Sequence, residues 1–277
     1  MVMPDNVKRL KLTIAYRGSR YFGWQTQNIS DAQIAARGRD LPTIQSVLEG
    51  VLAKVLKHPV SVTGSSRTDT GVHAKGQVCH LDTTCLSIPM RGFRNAVNAR
   101  LPDDIRLRAA RVVADDFNAI GWTTRKRYQY LIWNHQYSTP FNGDLMFHRW
   151  QKIDLAAMQA AAARFVGTHD FTSFAKPGHG RSTTVRTVHE CSVIRQGTVI
   201  TIGVTGTGFL WNMVRIMSGT LIDIGRGVYP PEAVTTMLAA KDRTLAGQTA
   251  PAHGLYLQWI RFARPASTTP VVLDDEG

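Results

Sequence analysis

The stretch Ser66-Arg67-Thr68-Asp69-Thr70-Gly71-Val72-His73-Ala74 sets one carboxylate between a fixed cation and a glycine turn. An ionised carboxylate can act as a nucleophile or a general base. Arg67, two residues before Asp69, is spaced to hold it charged, and Gly71 allows a sharp backbone turn beside it. The competing role for Asp69 is structural, as a turn cap or an arginine partner, which these nine residues taken alone favour.

A second group with chemical potential lies where residues 91 to 127 hold nine arginines and lysines against four aspartates. At its end Trp122, Tyr128, Tyr130 and Trp133 interleave with Arg125, Lys126 and Arg127. Basic side chains beside aromatics grip phosphates and stack bases taken out of a helix. The alternative is that half of these aromatics face a core, and strand alternation buries either Tyr128 and Tyr130 or Leu131 and Trp133.

Other motifs are weaker. Gly203, Gly206 and Gly208 lie between a strand and a helix, yet match no nucleotide-binding order, so a tight turn is the better reading than a phosphate cradle. His73, His80 and His169 lack ligand spacing, and Cys79, Cys85 and Cys191 are odd in number with no C-x-x-C pair. We therefore expect no metal, no cofactor and no disulfide framework, with the thiols reduced and mostly buried.

The elements that must position these residues follow from hydrophobic period. Leu10, Leu12, Ile14 and Tyr16 alternate as a strand, and Ile44, Val47, Leu48, Val51, Leu52 and Val55 recur at helical spacing. An irregular polar stretch from about residue 26 to 40 separates them. Strands are expected over 60–65, 76–82 and 105–113, with a helix over 89–99 before the last of these. The order is βαββαβ. It starts again with a strand over 125–134, a helix over 154–166, strands near 185–195 and 198–205, a helix over 209–224 and a strand over 254–262. An extra helix is expected over 231–240. The expected fold is α+β, built as two ferredoxin-like βαββαβ halves spanning 8–114 and 115–264, followed by a frayed tail over 265–277.

The chain of 277 residues carries 33 Lys plus Arg against 20 Asp plus Glu, a formal charge of +13. Such an excess suits a polyanionic partner held through its phosphates, with a merely solvated basic surface as the alternative. No signal-like apolar segment opens the sequence, and no run approaches the roughly 20 apolar residues that span a bilayer. The expected location is the cytoplasm.

The nine-residue stretch resembles the [GS]-R-T-D-x-G-V-H-A signature of the TruA-type tRNA pseudouridine synthase family. Tyr16-Arg17-Gly18 with Tyr21-Phe22-Gly23-Trp24-Gln25 is similar to the family's opening motif, with Arg17 where aspartate is usual. Lys126-Arg127-Tyr128-Gln129-Tyr130, Asp170 to Phe174, Phe209 to Arg215 and Gly254 to Leu257 continue the series in order. The resemblance implies isomerisation of uridine to pseudouridine in tRNA without a cofactor, at positions 38–40 of the anticodon stem-loop. It also implies a homodimer and two sheets joined around a central basic cleft. By the same resemblance Asp69 is the nucleophile or otherwise assists departure of the base, and Arg67 enters the space left by the extruded nucleotide. Arg215 pairs with the carboxylate, Tyr128 packs on the target base and Leu255 forms an apolar wall. Ile120 stands where the family carries arginine, and Arg125 is the candidate substitute. A non-catalytic tRNA-binding or folding protein on the same scaffold is the alternative, although such a protein has no use for the carboxylate.

Overall fold

The computed structural model describes residues 7–26, 41–85, 87–178 and 182–265. The polar stretch 27–40 and the tail 266–277 lie outside these residues.

Strand β1 (Lys8–Tyr16) buries Leu10, Leu12, Ile14 and Tyr16 on one face, as its alternation requires. Helix α1 (Ile44–Leu56) starts on a capping box, in which the Thr43 hydroxyl accepts from the Ser46 N–H and the Ser46 hydroxyl from the Thr43 N–H. Beyond it the expected strand over 60–65 narrows to β2 (Thr63–Gly64). The cause is local: the Val62 N–H donates to Glu49 Oε1 at 2.9 Å and its carbonyl accepts from Gln45 Nε2 at 3.3 Å. Side chains of α1 thus take the hydrogen bonds that a neighbouring strand would need.

The chain continues through β3 (His73–Thr83), α2 (Met90–Asn98), β4 (Ile105–Val113), β5 (Thr123–Asn134) and β6 (Phe147–Arg149). Then come α3 (Leu155–Ala163), β7 (Gly167–Asp170), β8 (Val185–Gln196), β9 (Val199–Gly206), α4 (Met213–Gly225), α5 (Ala233–Ala240) and β10 (Leu255–Phe262). Short β6 and β7 carry too few residues to show a period and were not expected. Helix α3 stops at Ala163, before the expected Val166, because Arg164, Phe165 and Val166 donate to carbonyls three residues back. That tightened turn leads into Gly167 at φ 122, a backbone only glycine adopts easily.

Among the described residues, ten strands form one open, mostly antiparallel sheet in the order β4-β1-β3-β10-β5-β9-β8-β7, with β2 on β3 and β6 on β5. The last of the described strands therefore sits in the middle. β10 runs parallel to β3, with Tyr256 opposite His73 and Leu257 opposite Ala74, and antiparallel to β5. Their approach needs Gly76, where a Cβ would lie 2.5 Å from the Gln258 carbonyl oxygen. Helix α2 packs on β4, and α3 packs on β8 and α4. One connected apolar core includes Leu12, Leu52 and Phe93 from the first part of the chain and Met158, Ile202 and Leu221 from the rest.

His73 fastens three segments at the centre of this sheet. Its Nδ1 accepts from the Gly18 N–H at 3.1 Å, Nε2 meets the His253 carbonyl at 3.0 Å, and the ring stacks on Tyr256 at 4.6 Å. An acceptor at Nδ1 and a donor at Nε2 describe a neutral imidazole. Burial pushes His73, His80 and His253 below the ordinary histidine range. The unfolded chain titrates near ~6.5, so below that pH it binds more protons than the native state and stability is lost as pH falls. We predict a lower urea midpoint at pH 5.5 than at pH 8. A midpoint that rises on acidification would contradict the neutral clamp.

Candidate active site

β1 and β5 leave, and β3 and β10 enter, the same edge of the sheet, as their pairing directions dictate. At that edge the loop over 65–72 carries Asp69 into β3, and the loop over 17–26 follows β1. The two loops touch backbone to backbone. A Cβ on Gly18 would lie 2.0 Å from the Val72 carbonyl oxygen, and one on Gly23 would lie 2.5 Å from that of Thr68. The Trp24 N–H donates to the Thr68 carbonyl at 3.0 Å, while the Tyr16 hydroxyl shares a 2.7 Å hydrogen bond with Thr68 Oγ1. Within the loop the Val72 N–H donates to the Asp69 carbonyl at 3.1 Å around Gly71 at φ 80, the positive value a type II turn requires at that position.

Gln77, fully buried, holds the preceding residue from both sides. Its Oε1 accepts from the Ser66 N–H at 3.3 Å, and its Nε2 donates to the Ser66 carbonyl. The Ser66 hydroxyl lies 3.0 Å from the Tyr128 hydroxyl. Tyr128 is buried, with Phe209 edge-on at 5.3 Å. Burial pushes its phenol up to about 12, opposed by the Ser66 hydrogen bond and reinforced by the nearby Asp69 charge. Tyr128 and Tyr130 are the buried pair of β5, and the alternation resolves that way.

Arg215, in the first turn of α4, reaches Asp69 across 146 residues of sequence: its NH1 lies 3.4 Å from Asp69 Oδ2. The same nitrogen donates to Asn212 Oδ1 at 3.0 Å, and Nε donates to the Ala250 carbonyl at 2.8 Å. The guanidinium is thus aimed by two further acceptors, and only 17% of the Arg215 side chain is exposed against 31% for Asp69. Asn212 sits at φ 61, a conformation asparagine tolerates, which ends the 209–212 segment and delays the helix expected from Phe209 until Met213.

Arg67 does not make the contact its spacing suggests. Its side chain is exposed and has no hydrogen bond or ion pair among the described residues, so Arg215 alone of the two is the partner of Asp69. Leu255 is buried at the start of β10, opposite Tyr130. Arg125 is exposed on β5, whereas Lys126 donates to the Ser65 carbonyl at 2.7 Å and Arg127 pairs with Glu190 at 2.6 Å. Arg17 pairs with Asp144 at 2.7 Å, and Ile120 projects outward, 61% exposed.

Gln77 and the Ala250 carbonyl escaped sequence reasoning, and Thr68 and Asn212 stand in the quoted motifs with no role assigned to them. Gln77 left one usable signal, a neutral polar residue among the apolar positions of β3. The glycine stretch 203–208 resolves as packing: Gly203 and Gly206 lie inside β9, where a Cβ would press on Arg127 and on the Thr187 carbonyl. Cys79 and Cys191 are buried and Cys85 is exposed, all as free thiols. Among the described residues no three His, Cys, Asp or Glu side chains converge as metal ligands, and no helix is long and apolar enough to cross a membrane.

The family model for tRNA pseudouridine synthase matches residues 12–120 and 161–263. A tRNA pseudouridine synthase A of an Exiguobacterium species is 43% identical over 258 residues, covering 93% of this chain and 99% of the relative. Those of Shewanella piezotolerans and Bacillus subtilis are 42% and 41% identical, covering 92% and 90% of this chain and 93% and 97% of the relatives. The matched regions contain both Asp69 and Arg215, the two residues that the central strands bring together, and the chain belongs to the tRNA pseudouridine synthase family.

Proposed function

We propose that the chain isomerises uridine to pseudouridine in tRNA with Asp69 as the reacting carboxylate. The observation that carries this reading is the Asp69–Arg215 pair at 3.4 Å, held at the ends of the central strands beside Tyr128. In the reaction the bond from the ribose C1′ to uracil N1 breaks, the base turns, and C1′ bonds to C5, whose proton is replaced by one gained at N1. Atoms and electrons balance within the nucleoside. A carboxylate beside a guanidinium suits nucleophilic assistance to the departing base.

The uridine is inaccessible in a stacked stem and must be extruded, and the exposed Arg67, two residues before Asp69 in the chain, is free to occupy the gap. Tyr128 carries its proton at neutral pH, so it offers the base an aromatic ring and a hydroxyl rather than a phenolate. Leu255 supplies an apolar wall. Arg125 is the best placed of the three basic β5 residues to meet phosphate, with Lys126 and Arg127 adding charge from beside it.

We assign the chain two ferredoxin-like halves, over 8–114 and 115–264. Strand order supports this: β4-β1-β3-β2 reads fourth, first, third, second within its half, and β10-β5-β9-β8 reads the same once the short β6 and β7 are set aside. Positions 38–40 of the anticodon stem-loop are the proposed targets, with a homodimer presenting the basic cleft to cytoplasmic tRNA, a reading supported by the motif resemblance and the +13 charge.

Asp69→Asn is expected to reduce pseudouridine formation on the order of 10³-fold or more while tRNA binding survives. Near-normal turnover by that variant would remove the carboxylate from the mechanism. Binding of tRNA should also weaken at least about tenfold between roughly 50 and 200 mM salt, because phosphate contacts release counterions. A flat salt response in a filter-binding titration would contradict the basic cleft.

A further inference from the structure

Residues Phe209 to Arg215 touch the site at both ends. The Phe209 ring meets Tyr128 edge-on, and Arg215 reaches Asp69. Between them Leu210 and Met213 are buried, whereas Trp211 is 42% exposed. A large indole left half in water four residues before Arg215 forgoes burial it could otherwise gain. Its position is nevertheless fixed. The Lys176 N–H donates to the Trp211 carbonyl at 3.0 Å, and the Lys176 ammonium lies 4.1 Å from the indole centroid. Trp211 Nε1 has no hydrogen-bond partner among the described residues.

We propose that Trp211 and Lys176 form a stacking subsite for a nucleotide adjacent to the extruded uridine. The Lys176 ammonium lies over one face of the indole, so a base stacks on the exposed remainder of the ring while the cation takes a phosphate, the combination that binds unstacked nucleotides. When a uridine leaves its stack, its neighbour loses a stacking partner, and the exposed indole replaces the lost contact. That lowers the cost of extrusion where the chemistry needs it. The proposal rests on the reading of the site as a tRNA pseudouridine synthase.

The test compares the wild-type chain with Trp211→Ala, Trp211→Phe and Lys176→Ala, measuring KM and kcat for pseudouridine formation in tRNA, the melting midpoint and the oligomeric state. Loss of one stacked base raises KM on the order of tenfold in Trp211→Ala. Trp211→Phe restores most of that loss, Lys176→Ala raises KM to a smaller extent, and kcat and the melting midpoint stay near wild type. Unchanged KM in Trp211→Ala, or equal loss in the Ala and Phe variants, overturns the subsite. So does a changed oligomeric state with tRNA affinity intact, which assigns the indole to a protein contact. A wild-type chain that forms no pseudouridine overturns the underlying reading of the site instead.

Discussion

A carboxylate that works beside RNA is surrounded by phosphate charge of its own sign, so it needs a cation fixed by the protein. In the proposed site Arg215 meets that need at 3.4 Å from Asp69, and the rest of the structure can be understood from how it gets there. The two residues lie on opposite sides of the β3–β10 junction. The 247–250 segment leading toward β10 supplies the Ala250 carbonyl that aims the guanidinium. Placing the last strand at the centre of the sheet is therefore what completes the site.

That junction has steric requirements that explain several residues at once. Gly76 admits the β10 backbone, and Gly18 and Gly23 admit the carbonyls of the Asp69 loop. His73 ties Gly18, His253 and Tyr256 together as a neutral ring. Gln77 then fixes Ser66, which holds the Tyr128 hydroxyl. The glycine approaches and the His73 and Gln77 hydrogen bonds restrain backbone rather than reaching toward substrate, so the loop is positioned before RNA arrives.

Much of this was legible in the sequence, for identifiable reasons. Long strands with a clear period, such as β1 and β5, were readable because one face is apolar. The strand expected over 60–65 was not, because Gln45 and Glu49 capture the Val62 backbone, an event no local pattern reports. The same limit applies to the site. Spacing suggested Arg67 as the partner of Asp69, yet a residue two positions away points outward while one 146 positions away makes the contact. Motif resemblance identified Arg215 where spacing could not. The resemblance also marked Lys126 and Arg127, whose side chains turn out to be engaged by Ser65 and Glu190.

We assign Arg215 an action through Asp69 rather than through the fold or through tRNA affinity. Single-turnover rates of pseudouridine formation for Arg215→Gln, measured with saturating protein alongside its melting midpoint, test it most directly. The expected result is a rate reduced on the order of a hundredfold in a protein that remains folded and binds tRNA. A folded Arg215→Gln variant that reacts at the wild-type rate would contradict it.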